Sequence, residues 1–156
     1  VGLAVLGMWR GWRNRGRRQA DLAELPPVPA DRGPLLARAE GRYIGTVHSG
    51  AWLDRVVAHG LGPVGEAALE VTSAGVLLDR VGAEPVFIPV ADLIGSGTGK
   101  GLAGEVVERD GLAIIGWRLG DARLDTGFRA TSAADQRAAL SALATLIDDA
   151  TATSGR

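Results

Sequence analysis

Three clusters carry residue types that do chemistry elsewhere. Asp125, Thr126 and Gly127 spell the Asp-Thr-Gly core of retroviral-type aspartic proteases. In those enzymes two such loops bring two carboxylates together to share one proton. Here the match is three residues long. Phe128 follows where a small residue is usual, and only a helix and a tail remain to build a flap and a dimer floor. The simpler assignment is a strand ending in a turn, with Phe128 inside and Arg129 outside. The second cluster is Gly95 to Gly101, four glycines with Ser96, Thr98 and Lys100 between them. Glycine amides approach anions closely, so Gly97, Gly99 and Lys100 are the candidate ligand-binding residues. The segment lacks P-loop spacing and no long helix follows it. It therefore reads first as a loop between strands. The third cluster is His48, Ser49 and Asp54. Neighbours on an extended segment face opposite ways, so His48 and Ser49 would not meet. With only His48 and His59, a zinc site lacks ligands. No catalytic residue, metal site or cofactor is assigned.

The elements that position these residues are read from periodicity. Glu66 to Thr72 alternates, with Ala67, Leu69 and Val71 on one face, as in a half-buried strand. Further strands follow at Val76 to Val81, around Val86 to Val90, at Glu105 to Arg109, at Leu112 to Leu119 and at Ala122 to Phe128. Asp110-Gly111 and Gly120-Asp121 mark hairpin turns. Short strands at this spacing indicate a small antiparallel sandwich or barrel. Ala51 to His59 is expected to form a short helix stopped by Gly60. Ser132 is a helix N-cap, with Asp135 in the first turn and Leu140, Leu143, Leu146 and Ile147 as a buried stripe. Trp52 and Trp117 sit in apolar contexts and read as core anchors.

Charge divides the chain. Arg10, Arg13, Arg15, Arg17 and Arg18 fall in the first 20 residues, where there is no acid. With those five set aside, 12 basic groups face 18 acidic ones, a balance of about −6 for the remainder. Such a body does not suit nucleic acid, whose binding rests on neutralising phosphates. There is no cysteine, so disulfides and thiol chemistry are absent. Residues 1–9 are apolar and end in Trp9; Trp12 lies among the arginines. That order is how a membrane helix meets the cytoplasm. Nine helical residues span roughly 13 Å against a hydrocarbon core of about 30 Å. The expectation is therefore a truncated stub of a single-pass membrane helix, with Trp9, Arg10, Trp12, Arg13, Arg15, Arg17 and Arg18 at the interface. Pro26, Pro27, Pro29 and Pro34 mark an extended spacer. The expected organisation is a stub at 1–9, a basic segment and linker at 10–41, a folded domain at 42–150 and a disordered tail at 151–156.

Four strings resemble a known family: residues 43–46, 52–62, 87–89 and 124–129. They are similar to the bacterial pleckstrin-homology-like (PH-like) domain of small actinobacterial membrane proteins, over roughly Arg42 to Ile147. The resemblance implies an α+β, mainly β fold. Its form is an antiparallel barrel of about seven strands, with a short helix after the first and a capping C-terminal helix. It also implies one membrane helix before an arginine-rich segment and a cytoplasmic domain. The function expected on this basis is a membrane-tethered, non-catalytic interaction module that binds a protein or its own copy. The alternatives are a lipid-headgroup or small-anion receptor using the Gly95 to Gly101 segment, and an aspartic protease using Asp125.

Overall fold

The computed structural model describes residues 22–51, 54–99, 101–102, 105–106 and 111–154. The stub and arginine cluster, residues 1–21, lie outside the described residues, as do Trp52 and Lys100.

Seven antiparallel strands form one sheet in the order β4-β3-β2-β1-β9-β8-β5. They are β1 (Leu35–His48), β2 (Gly65–Thr72), β3 (Gly75–Arg80), β4 (Val86–Pro89), β5 (Leu93–Gly99), β8 (Leu112–Leu119) and β9 (Ala122–Ala130). A separate pair, β6 (Gly101–Leu102) and β7 (Glu105–Val106), lies between β5 and β8 in sequence. Among the described residues one α-helix, α1 (Ala133–Ser154), follows the strands. No helix among the described residues is long and apolar enough to cross a membrane.

The long strand β1 joins the two halves of the sheet. Its first part pairs with β2 through Leu35 to Tyr43, and its second with β9 through Gly41 to His48. Gly41 belongs to both ladders. A Cβ there would overlap the Arg129 carbonyl oxygen, so only glycine lets β9 approach so closely. A register shift between Tyr43 and Gly45 resets the alternation. As a result Tyr43 and Thr46, three residues apart, are both buried.

The sheet curls around Tyr43, Leu69, Leu78, Ile88, Ile115, Trp117, Leu124 and Phe128. The helix packs on β1, β2, β5 and β9. Ser132 caps it, its Oγ accepting the Asp135 N–H at 3.2 Å. The buried stripe runs through Gln136, Ala139 and Leu143; Leu140, Leu146 and Ile147 are half-buried. Gln136 ties the helix to the sheet: its Oε1 accepts the Ala130 N–H and its Nε2 donates to the Gly111 carbonyl.

Four expectations change. Among the described residues of the segment expected as a helix from Ala51 to His59, the only helical turn is the 3-10 turn at Ala58–Gly60. Before it, Arg55 forms a bridge to Val47 and Val56 N–H donates to the Thr46 carbonyl, so the chain runs as an extra edge beside β1. The spacer is not free from Leu22 onward. Leu22 enters the main core, and its carbonyl accepts a hydrogen bond from His59 Nε2 at 3.1 Å. Further along, the carbonyls of Arg32 and Pro34 accept the amides of Ala74 and Ser73. The folded body thus begins before Arg42. Gly95 to Gly99 is strand, not turn. The helix also continues into the expected tail, to Ser154.

Candidate functional site

Asp125, Thr126 and Gly127 lie mid-strand in β9, not in a loop. Alternation turns Asp125 outward, where its Oδ1 accepts the Ser49 hydroxyl at 3.1 Å. Thr126 turns inward and is 1% exposed. It sits in a buried chain of hydrogen bonds whose direction can be worked out. The Trp117 Nε1–H only donates, and it reaches Thr126 Oγ1 at 2.9 Å. At the other end the Tyr43 hydroxyl spends its one proton on the Leu61 carbonyl at 2.7 Å. Thr46 must then donate to Tyr43, at 2.7 Å. Thr126 must in turn donate to Thr46, at 2.8 Å. The order Trp117, Thr126, Thr46, Tyr43, Leu61 leaves every buried hydroxyl satisfied. The threonine of the protease-like motif is therefore a link in the core. Among the described residues the partner of the Asp125 carboxylate is the Ser49 hydroxyl, not a second carboxylate.

Burial pushes the Tyr43 hydroxyl above the usual tyrosine range; the Thr46 hydrogen bond and then the Arg80 and Arg55 charges oppose it. His48 and His59 do not meet. His48 ends β1 with Nε2 buried and unpartnered. His59 adopts φ 56°, the only described non-glycine residue at positive φ, and its Nε2 carries the proton given to Leu22. Among the described residues no group of three His, Asp or Glu side chains is placed to hold a metal.

Gly97 and Gly99 fall on β5, the outer strand at one end of the sheet. Successive amides of a strand point to opposite edges. Gly97 and Gly99, two residues apart, send their amides to the same edge, but an extended strand spaces them roughly 7 Å apart, too far to converge on one anion as in a phosphate cradle. Among the described residues no strand pairs with the outer side of β5. Ile94, Ser96, Gly97 and Thr98 are exposed, and a Cβ at Gly97 would meet nothing. At Gly99 the space of a side chain is filled by Ile114 of β8. The segment from Leu93 to Gly99 contains no charge and no proline. The other outer strand, β4, is built differently: four residues, preceded by Pro85 and ending in Pro89, with Val86, Phe87 and Ile88 buried. Proline and brevity protect an edge from pairing. β4 has both and β5 has neither.

The model of the family described as bacterial PH domain-like matches residues 22–144. The chain belongs to that family. The match starts at Leu22, the residue at which the N-terminal segment enters the core. Among solved structures, a chain of "The 8S snRNP Assembly Intermediate" is similar with a TM-score of 0.53 and 12% identity. It covers 81% of this chain and 90% of that one. At that identity the likeness shows the PH-like fold alone. No curated protein matches. PH-like domains are typically non-catalytic, which agrees with the structural role of Thr126. The sequence signal that could have identified the open edge was the absence of charge between Leu93 and Gly99, obscured because glycine-rich segments read as turns.

Proposed function

We propose that this PH-like chain is a non-catalytic interaction module, held at the cytoplasmic face of a membrane by residues 1–21 and binding protein by strand addition to β5. The supporting observation is the contrast between the two outer strands: β4 short and proline-flanked, β5 seven residues long, uncharged and without a further strand beside it among the described residues. Strand addition draws affinity from main-chain hydrogen bonds and needs little side-chain chemistry. The simplest partner is a second copy. Antiparallel pairing of β5 with itself is two-fold symmetric and buries the same edge on both copies.

Sedimentation equilibrium of residues 22–156 tests this. The expected result is a concentration-dependent dimer. Gly97→Asp places charge on the edge in open space; it should abolish the dimer and leave the far-UV circular dichroism unchanged. A monomer at every concentration, or an unaffected dimer in the variant, contradicts self-pairing through β5. The tether is supported by the apolar run, Trp9 and Trp12, and the five arginines. Each arginine near an anionic surface contributes about 1 kcal/mol. A lipid-headgroup role for Lys100 with Gly97 and Gly99 is separated by Lys100→Glu, which leaves vesicle binding unchanged if the tether alone attaches the chain.

A further inference from the structure

Arg80 ends β3 and turns into the end of the barrel, where it is 7% exposed. Its guanidinium lies 5.0 Å from the centre of the Tyr43 ring, and its Nε donates to the Glu84 carbonyl at 3.0 Å. Nη1 and Nη2 are covered and make no hydrogen bond. Among the described residues no carboxylate pairs with it; Glu40 and Glu70 pair with Arg32 and Arg38. Arginine stays charged in proteins. The ring face offsets part of the desolvation, but it leaves the two-pronged donor fork unused. An unpaired buried cation is costly to keep.

Arg80 also helps to line a cavity of about 180 Å³, together with Tyr43, Pro63, Val64 and Val81 and with Glu66 in its wall. That is space for roughly six water molecules. Gly60, at φ +73°, turns past the fork; a Cβ there would sit 3.5 Å from Nη2. Val81 is 71% exposed and forms an apolar rim.

We propose that this cavity binds one carboxylate carried on a small apolar group, with Arg80 donating to it through Nη1 and Nη2. The planar fork matches a carboxylate, which accepts two parallel hydrogen bonds. One cation, with Glu66 in the wall, suits a single negative charge. A polyphosphate headgroup needs several cations. Pro63, Val64, Val81 and the Tyr43 ring supply apolar contact. Both nitrogens are covered in the unliganded protein, so binding turns the guanidinium from the ring toward the cavity. The site lies apart from the β5 edge and does not rest on the strand-addition reading. A free short-chain acid and the terminal carboxylate of a peptide share this chemistry.

Thermal unfolding and calorimetric titration of the full chain with butyrate test the proposal, with butyramide and inorganic phosphate as controls at constant ionic strength. Butyrate should raise the melting temperature by about 5 °C near saturation, and butyramide should not. Arg80→Gln should remove the shift. Val81→Glu changes an exposed residue, so the fold persists; it should weaken butyrate at least about tenfold. No shift with butyrate, an equal shift with butyramide or in Arg80→Gln, an unaltered affinity in Val81→Glu, or tighter phosphate binding would each overturn the site. A short peptide ending in valine, free and amidated, separates the sources. Binding well above that of butyrate, lost on amidation, assigns a chain terminus; binding no tighter than butyrate assigns a free acid.

Discussion

Thr126 shows how one residue can carry a motif and a different role. Its neighbours in sequence suggest a protease, yet its hydroxyl links Trp117 to Thr46 inside the core. Thr126→Val keeps the shape and removes both functions of the hydroxyl. The Trp117 donor is then left without an acceptor, and Thr46 loses the proton it accepts. A buried unsatisfied group costs about 1–3 kcal/mol. Denaturant unfolding should show that loss with little change in slope, and an unchanged midpoint would contradict the directed chain. Tyr43 gives a second test. Its folded pKa is raised by burial, so the folded state holds the proton more tightly than the unfolded one. The stability linked to it is complete below the unfolded value of about 10 and is lost as pH rises through the folded value. Tyr43 is the only tyrosine, so phenolate absorbance reports this site alone. The wild type should lose stability above about pH 10 more steeply than Tyr43→Phe; parallel curves would show that burial does not hold the proton.

Among the elements, those with clean periodicity were legible in the sequence. The alternation of Ala67, Leu69 and Val71 gave β2, and Ser132 with Asp135 marked the start of α1. The core position of Trp117 also followed from its apolar context. What was not legible has physical causes. After Leu35 and Leu36 the first half of β1 is written in Ala37, Arg38, Ala39, Glu40 and Gly41, mostly small or charged residues of low strand propensity. Its pairing with β2 comes from tertiary contact. β5 reads as a turn because glycine usually punctuates strands. Of the candidate site, Gly97 and Gly99 were singled out for a loop's chemistry, whereas they form an edge. Arg80 carried no signal, since nothing in its local sequence tells that the end of β3 turns inward. The proline-rich segment reads as a spacer because proline fixes an extended backbone. Extended is correct, but from Leu22 it is docked. Leu22→Ala removes a buried side chain and should cost about 2 kcal/mol or more of unfolding free energy. No loss in denaturant unfolding would mean that this segment is a free linker.

At the scale of the whole molecule, charge separates the N-terminal segment from the body. Five arginines lie in the first 20 residues, and the remainder carries more acid than base. An acidic body is not drawn to anionic lipid, so attachment is expected to need residues 1–21 and to weaken with salt. In the proposed function the body presents the β5 edge to other copies held on the same surface, where tethering would raise the local concentration. The absence of cysteine allows one engineered cysteine at the C-terminus to carry a dye. Energy transfer between labelled full-length chains on anionic vesicles therefore tests the central claim directly. Wild type and Gly97→Asp should sediment equally with the vesicles, and only the wild type should show transfer at low surface density. Equal transfer in both, or none in the wild type, would contradict a membrane-held module that pairs through β5.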